Sequence, residues 1–290
     1  MNRTISRRAF VTGIAAAPLA LAAVDTASAV PQDTAPASLR FAVYGDCRDG
    51  HDVHRKVCAL IVKSAPDMVF QTGDLVHNGS VASQWATFDD ITAEMRKKIP
   101  YYPARGNHDF GDEGYYKRTV SPYTSGTADY YTVDKGNCHF IVLDVDEHTD
   151  YSPKSDQYKW LIKDLDASKG KFTHTFVFFH VPGYSIGSHG MNKDIQDTLC
   201  PVFTKYAVRI VFTGHDHNYY HTTRSGTPYI VTGGAGAPLY DTFPEKGAIA
   251  GDKYEKVNHY CLVDVKGKDV TVQAIRVDGS LIETFTVSAS

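Results

Sequence analysis

Aspartate, asparagine and histidine side chains, which bind divalent metal ions in proteins, close short apolar runs along the sequence. They are Asp46, Asp74, Asn107 with His108, His180, and His215 with His217. Carboxylate, amide oxygen and imidazole together suit first-row ions such as Fe, Zn or Mn. A carboxylate can bridge two ions, and two-metal hydrolases hold them about 3.5–4 Å apart. Such a pair binds phosphate and generates a nucleophile near neutral pH, so the pattern predicts a dinuclear site for phosphate ester hydrolysis.

Each of these signals has a structural alternative when it is taken alone. An aspartate after a strand, such as Asp46, is often a turn former or a helix cap. A single histidine such as His180 is often packed in a core, and Asn107 could belong to a turn. His215 and His217 are more specific, because side chains two apart in an extended chain face the same side. The recurrence of such residues in order favours the metal site.

The elements that must position these residues alternate between strands and helices. The first half predicts a β-α-β-α-β unit with strands at 39–46, 67–74 and 101–109 and helices at 51–64 and 82–98. Such a unit implies parallel strands joined by right-handed crossovers. Because ligands bind beyond the carboxyl ends of strands in α/β sheets, we expect the polar residues to meet at one edge. The glycines that precede them permit sharp turns and leave room near the backbone; they are Gly45, Gly73, Gly106 and Gly214.

The second half of the chain has the same style with more antiparallel character. It predicts strands at 139–145, 174–180, 208–217, 229–234, 259–265, 270–277 and 281–288, and helices at 155–168 and 193–206. We expect two sheets packed together with helices outside. No internal repeat or boundary divides residues 39–290, so we interpret them as one domain.

The N-terminal residues 1–29 have the three regions of a secretory signal peptide. A basic start with Arg7 and Arg8 precedes a short apolar stretch that ends on Ala27-Ser28-Ala29. The arginine pair resembles a twin-arginine export signal. The alternative is a membrane anchor, but the apolar part is shorter than the roughly 20 residues of a bilayer span. We predict cleavage after Ala29, a linker at 30–38, and an exported protein, periplasmic or extracellular, without a membrane span.

Composition narrows the choice of partners. The net charge is −3 and the charged residues are interspersed, so the basic stripe of nucleic-acid-binding proteins is absent. The five cysteines do not form the dense disulfide framework of small secreted domains, and their odd number leaves at least one unpaired within the chain. Together with the predicted dinuclear site, this composition indicates a small-molecule phosphate ester as the partner and no nucleic acid. The sequence does not specify an oligomeric state.

The five motifs together resemble the signature of the calcineurin-like metallophosphoesterases, the superfamily that includes the purple acid phosphatases. They read GD at 45–46, GD at 73–74, GNHD at 106–109, His180 and GHDH at 214–217. The stretches VTGGAGAPLY and QYKWLIKDL are also similar to members of that superfamily. The resemblance implies an α/β fold, a four-layer αββα sandwich of two mixed β-sheets flanked by helices, which agrees with the pattern of elements.

The resemblance also implies a role for each motif residue. Asp74 would bridge the two metal ions. The first ion would be bound by Asp46 and His217, and the second by Asn107, His180 and His215. His108 would contact the phosphate and aid the leaving group, while Asp109 would orient His108 by a hydrogen bond. Asp216 would point away from the metals.

Two positions depart from the family pattern. Many relatives have a histidine ligand where this chain has Arg48, which cannot ligate because it stays protonated. Purple acid phosphatases have a tyrosine ligand where this chain has His77. We predict that His77 replaces the missing ligand; a structural or exposed role is the alternative. Arg48 could clamp a phosphate oxygen as part of the catalytic set, or it could form a surface ion pair.

The predicted reaction is hydrolysis of a phosphate monoester by attack of a metal-bound hydroxide on phosphorus. A phosphodiesterase acting on cyclic nucleotides or phospholipid headgroups is the alternative. A relative that binds metal or phosphate without turnover is a second alternative, and an adhesion module has no need of these residues. Three loops are expected to surround the site, at 110–131, 183–192 and 233–256. His189 lies in one of them, with substrate contact or a plain surface position as its two interpretations.

Overall fold

The computed structural model describes residues 38–111 and 129–289, all of them within one compact unit, Pro36–Ser290. The first half is the predicted β-α-β-α-β unit: β1 Ser38–Tyr44, α1 His51–Ser64, β2 Met68–Gln71, α2 Ala82–Lys98 and β3 Tyr101–Pro103. Strands β1, β2 and β3 are parallel neighbours, with Phe41 beside Met68 and Val69 beside Tyr101. The predicted parallel unit is therefore confirmed.

The second half adds ten strands and three α-helices in the described part of the chain. They are β4 Tyr131–Lys135, β5 Cys138–Val142, α3 Asp156–Ser168, β6 His174–Phe178, α4 Lys193–Thr198, α5 Cys200–Lys205, β7 Ile210–Thr213, β8 Tyr219–Arg224, β9 Thr227–Thr232, β10 Lys253–Glu255, β11 His259–Lys266, β12 Asp269–Arg276 and β13 Leu281–Ser288, with a 3-10 turn at Pro244–Lys246. Ser155 caps α3, because its hydroxyl accepts the N–H of Tyr158.

The strands form two mixed sheets. One has the order β13-β12-β11-β1-β2-β3 and the other β10-β8-β9-β7-β6-β5-β4. The centre of the second sheet is parallel from β5 through β6 and β7 to β9, and antiparallel strands flank it. The parallel strands of both sheets carry the predicted metal-binding residues at their carboxyl ends.

Aromatic side chains fill the space between the two sheets. The ring of Phe41 on β1 packs edge-on against Phe140 and Phe176 of the other sheet, at 5.3 and 5.1 Å between centroids. Phe70 stacks on Phe178 at 4.1 Å. Separate apolar clusters join α1 and α2 to the outer face of the first sheet, and α3 to α5 to the outer face of the second. The fold is the predicted four-layer αββα sandwich.

Several boundaries differ from the sequence prediction. The helix expected at 193–206 is two helices, because Pro201 lacks an N–H and fits only in the first turn of α5. The third strand ends at Pro103, and Gly106 to Asp109 form a turn. Strands β4, β8 and β10 were not predicted, since they are short and carry several charged or polar side chains.

The predictions for the N terminus fall largely outside the described residues. The signal peptide at 1–29 lies there, and of the linker predicted at 30–38 only Ser38 is described, as the first residue of β1. Among the described residues, no helix has both the length and the hydrophobicity needed to cross a bilayer. All five cysteines are buried and free.

Candidate metal centre

Loops that follow strands of both sheets build the site. Asp46, Asp74 and Asn107 follow β1, β2 and β3 of one sheet. His180 follows β6 and His215 follows β7 of the other sheet, with His217 two residues later. The site therefore lies where the carboxyl edges of the two sheets meet, as the sequence predicted. The polar residues fall into two groups.

The first group, called here the imidazole site, consists of Asn107, His180 and His215. Asn107 Oδ1 lies 3.0 Å from His180 Nε2 and 3.2 Å from His215 Nδ1, and the two ring nitrogens are 3.2 Å apart. Donor atoms about 2.1 Å from one ion lie about 3.0–3.4 Å from each other in octahedral or tetrahedral geometry. The three atoms therefore have the spacing of ligands on one metal ion.

The second group, called the carboxylate site, consists of Asp46, Asp74 and His217. One ligand atom from each lies within 4.8 Å of the others, and all three residues are buried. Asp74 also faces the imidazole site, since its Oδ1 is 3.3 Å from His180 Nε2. Its carboxylate thus lies between the two groups, where a bridging ligand belongs.

Backbone carbonyl groups fix the rings of two histidines of the site, His180 and His217. His180 Nδ1 lies 2.8 Å from the carbonyl oxygen of Thr72, and His217 Nδ1 lies 2.7 Å from that of Pro238. A carbonyl oxygen only accepts, so each Nδ1 carries a hydrogen and each Nε2 is the ring nitrogen that faces the site and that can bind a metal ion once it is deprotonated. Metal-binding histidines have this arrangement in most known sites. The donor types, their spacing and these carbonyl partners all fit metal ions.

Burial and neighbouring charges set the protonation of the site. Burial opposes ionisation of Asp74, but the charges of His180, His108 and Arg48 and the N–H of His108 outweigh it and lower the pKa of Asp74. Burial, with the charges of His180 and His189, lowers the pKa of His215 to about 3. A carboxylate and a neutral imidazole are the forms of these groups that bind metals.

A model of the calcineurin-like phosphoesterase family matches residues 39–219 of the chain, which contain both groups. The chain belongs to this family. Its members are dinuclear metal enzymes that hydrolyse phosphoesters, and the match confirms the superfamily predicted from the motifs.

The curated relatives that the chain matches include purple acid phosphatases and a phosphodiesterase. Purple acid phosphatase 18 of Arabidopsis thaliana is 30% identical over 166 residues, which cover 52% of this chain and 38% of the relative. A nucleotide pyrophosphatase/phosphodiesterase of Hordeum vulgare is 28% identical over 272 residues, 76% of this chain and 72% of the relative. Some matched relatives are named probable inactive purple acid phosphatases.

A purple acid phosphatase is also among the similar solved structures. The structure of purple acid phosphatase PPD1 from yellow lupin (Lupinus luteus) seeds has a TM-score of 0.73 and 19% identity, and the match covers 87% of this chain and 54% of that one. This likeness shows the fold. The chain spans less than two thirds of the length of the first curated relatives it matches.

Arg48, the main departure from the calcineurin-like pattern, lies against the carboxylate site. Its Nε donates to Asp74 Oδ2 at 3.1 Å, and its side chain is only 9% exposed. Its NH1 donates to Asp49 Oδ2 at 2.7 Å and lies 3.3 Å from His77 Nδ1. Arg48 therefore forms an ion pair, but with the buried central carboxylate of the site and not at the protein surface.

The ring of His77 does not join the carboxylate site. Its Nδ1 contacts Asp49 Oδ2 at 3.1 Å, and the side chain is 56% exposed. Arg48 lies between this ring and Asp74. The structure thus differs from the prediction that His77 replaces the missing ligand, because Asp49 draws the imidazole outward and the guanidinium stands in its way.

His108 lies beside the site, but its predicted partner differs. Its backbone N–H donates to Asp74 Oδ1 at 3.1 Å, and its Nε2 is 4.0 Å from Asp74 Oδ2. Its Nδ1 contacts the carbonyl oxygen of His77 at 2.8 Å, so this carbonyl orients the ring in place of Asp109.

Asp109 is buried and orients backbone instead of a side chain. Its carboxylate accepts the N–H groups of Leu75, Val76 and Gly106 at 2.8–3.1 Å. Burial, with the nearby charge of Asp74, raises the pKa of Asp109 to about 8, against the effect of those donors. Asp109 therefore fixes the turn that carries Asp74 and the turn that carries Asn107.

Backbone strain and close approach mark the loops of the site. Asp46, Asp74 and His215 have φ of 57°, 57° and 69°, the left-handed region that such residues seldom adopt. A Cβ on Gly106 would overlap Asp74, and one on Gly214 would overlap the carboxylate of Asp46. Gly106 and Gly214 thus leave room for the carboxylates of Asp74 and Asp46. The left-handed backbone conformation is adopted by the ligand residues themselves.

Several residues of the site were not assigned a role from the sequence. Asp216 points away from the metal groups, as the resemblance implied, and its buried carboxylate accepts from Ser185 Oγ and from the backbone N–H and Nδ1 of His189. The His189 ring consequently packs against His215 at a tilt of 34°, with 3.9 Å between centroids. Tyr240 stacks on His217 at 4.0 Å. Ser185, His189 and Tyr240 lie in the predicted loops at 183–192 and 233–256, and Asp216 lies in the GHDH motif; the sequence contains no further signal for these contacts.

Proposed function

We propose that the chain is an exported phosphatase that hydrolyses phosphate monoesters at a dinuclear metal centre. One ion would be held by Asp46, Asp74 and His217, and the other by Asp74 with the imidazole site of Asn107, His180 and His215. The observation that carries the proposal is the triangle of donor atoms, 3.0–3.2 Å on each side, next to a buried carboxylate. The ions would neutralise phosphate charge and activate water.

The chain itself supplies a proton donor beside this centre. The carbonyl oxygen of His77 holds the Nδ1 hydrogen of His108, so Nε2 is the ring atom that exchanges protons with substrate. Its distance of 4.0 Å from Asp74 Oδ2 places Nε2 next to the central carboxylate without a direct hydrogen bond. A protonated Nε2 in this position would stabilise charge on the phosphoryl group and give its proton to the leaving oxygen.

A cavity of about 170 Å³ adjoins the imidazole site and would receive the leaving group. Its walls include Tyr151, Pro182 and Met191, with Glu147 at the rim. Apolar and aromatic walls with a few polar groups are typical of small-molecule sites. The relatives named purple acid phosphatases favour a monoester. The Hordeum vulgare relative is named a phosphodiesterase, which supports a diester as the second candidate.

A substrate panel on metal-reconstituted protein tests this function. We expect faster hydrolysis of para-nitrophenyl phosphate than of its bis-ester or of 2′,3′- and 3′,5′-cyclic nucleotides. The opposite order would favour the phosphodiesterase. Absence of turnover after Fe, Zn or Mn addition, despite bound metal, would instead favour a non-catalytic relative of the kind that some inactive homologues represent.

Export is tested separately, because it depends on residues 1–29. We propose the twin-arginine pathway on the basis of Arg7 and Arg8. Replacing both arginines by lysine should retain the protein inside the cell, as measured by fractionation. Unchanged export of that variant would contradict the twin-arginine assignment without bearing on the hydrolase.

A further inference from the structure

We propose that Arg48 makes the two metal positions unequal, so that the imidazole site binds its ion tightly and the carboxylate site binds its ion weakly. This inference rests on the proposed function, since it concerns the metal centre of the same site. It assigns to Arg48 control of metal occupancy.

The guanidinium contacts the Asp74 oxygen other than the one that faces His180. Asp74 Oδ1 faces His180 Nε2 at 3.3 Å, whereas Asp74 Oδ2 accepts from Arg48 Nε at 3.1 Å. An ion at the carboxylate site must share or displace this hydrogen bond. An ion at the imidazole site meets no guanidinium, because Asp74 Oδ1 faces His180 Nε2 and accepts only an uncharged backbone N–H, that of His108 at 3.1 Å.

The position of Arg48 is fixed from the outer side. Its NH1 donates to Asp49 Oδ2 at 2.7 Å, and the side chain is almost fully buried. Asp49 has a φ of 71°, a left-handed backbone conformation that is uncommon for residues other than glycine. Arg48 is therefore built into the site and does not swing freely into solvent.

Charge and donor number add to this competition. Arg48 stands where many relatives have a histidine ligand, so the carboxylate site loses a donor and gains a fixed positive charge. A like charge in a partly buried site disfavours a cation more than it would in water. His77 does not restore the donor, because its ring contacts Asp49 on the far side of Arg48. The imidazole site keeps three neutral donors besides Asp74.

Metal titration without substrate tests the inference. Full-length protein would be stripped with a chelator, then titrated with Zn²⁺ or Mn²⁺ by equilibrium dialysis and elemental analysis. For the wild type we expect one ion bound tightly and a second bound about 10–100-fold more weakly, the range typical for loss of a supporting group at a metal site. Two ions of equal affinity would overturn the inference.

Variants at position 48 separate charge from geometry. Arg48→Gln, which removes the charge, should strengthen the weaker position about 10-fold or more, and Arg48→His, which also adds a ligand, should strengthen it further. Arg48→Lys should keep the inequality. The matched control is Arg55→Gln, which removes an exposed arginine paired with Asp90 and should leave both affinities unchanged.

The result is informative even if a variant folds poorly. Circular dichroism and thermal melting would identify such a variant, and the wild-type isotherm alone can then support or overturn the inference. A folded Arg48→Gln protein whose weaker position is unchanged would also overturn it. Failure of the hydrolase proposal has a different signature, namely two unequal ions with no turnover in the substrate panel.

Discussion

The two halves of the metal centre are constructed differently. The imidazole site draws an amide and two histidines from both sheets, and its donor atoms already lie 3.0–3.2 Å apart. The carboxylate site contains two buried acids and one histidine, whose Nε2 lies 3.5 Å from Asp46 Oδ1. Arg48 offsets the negative charge of the second half only.

This difference shows how a folded chain holds metal ligands before an ion binds. Neutral donors repel each other much less than two carboxylates do, so backbone contacts suffice to hold them together. Two buried carboxylates repel each other and need a compensating cation, because burial of unpaired charge is costly. In this protein Arg48 and the surrounding histidines supply that compensation at Asp74.

The strongest test removes the residue that both halves share. Asp74→Asn keeps the size of the side chain but removes the charge that joins the two positions. We expect loss of both bound ions and of hydrolysis to the background of the assay, measured by elemental analysis and turnover. Asp90→Asn, an exposed aspartate on α2, is the matched control. Retention of two ions in Asp74→Asn would contradict a bridging role.

Removal of His108 should separate metal binding from catalysis. His108→Ala leaves both groups of ligands in place but removes the Nε2 proton donor beside them. We expect turnover to fall about 10²–10⁴-fold, as for loss of a general acid, with metal content unchanged. His51→Ala, an exposed histidine at the start of α1, serves as the control. Full activity of His108→Ala would exclude its assigned role.

Paired histidine variants test the boundary of the carboxylate site. His217→Ala should lose one ion, because its Nε2 faces Asp46 and its Nδ1 is fixed by Pro238. His77→Ala should keep the metal content of the wild type, since its ring turns toward Asp49. Elemental analysis of both proteins at equal free metal concentration gives the number of bound ions per chain. Loss of an ion from His77→Ala would restore His77 as a ligand.

The part of the site that the sequence predicted consists of residues next to strand ends. Asp46, Asp74, Asn107, His180 and His215 each follow a strand, and parallel pairing brings carboxyl ends to one edge. These residues converge because they follow parallel strands, and the pattern of apolar residues in the sequence identifies those strands. The four-layer fold was predictable for the same reason.

The contacts that were not predicted depend on side-chain direction within turns. His77 turns outward because Asp49 attracts it, and Asp109 reaches backbone N–H groups in place of His108. A few hydrogen bonds between loops that are distant in sequence determine these side-chain directions. The helix break at Pro201 follows from the missing N–H of proline, which the prediction of one helix at 193–206 did not consider.

The loop at 183–192 offers a smaller test at the imidazole site. Ser185 donates to the buried carboxylate of Asp216, which in turn holds His189 against His215. Ser185→Ala should loosen this loop and reduce kcat/KM about 10-fold, mainly through KM, as expected when an orienting partner is lost. Ser188→Ala in the same loop is the control. An unchanged KM would show that the loop does not need this hydroxyl.

The smallest expected effect lies far from the metals and concerns stability. Burial lowers the pKa of His139, but hydrogen bonds to Asp164 and Asp134 and their charges outweigh it and raise the pKa above its ordinary value of 6.5. Both ring nitrogens contact carboxylates, at 2.6 and 2.7 Å, so the imidazolium joins β5 to β4 and α3. The contribution of these ion pairs to the stability of the fold is therefore complete below the pKa of His139 in the unfolded chain, about 6.5. It is lost as pH rises through the higher pKa of His139 in the folded protein.

Thermal melts of the wild type and His139→Asn measure the pH-dependent stabilisation by the ion pairs of His139. The difference in Tm should be larger at pH 5.5 than at pH 9 by about 2–4 °C, the shift that ~1 kcal/mol causes in a domain of this size. His51→Asn, at an exposed position, controls for general effects of losing a histidine. A Tm difference independent of pH would mean that His139 contributes by packing, for example against Phe172, whose ring stacks on it at 5.1 Å. The proton-dependent contact would then be absent, and the carboxylates of Asp134 and Asp164 would have to be compensated by other groups.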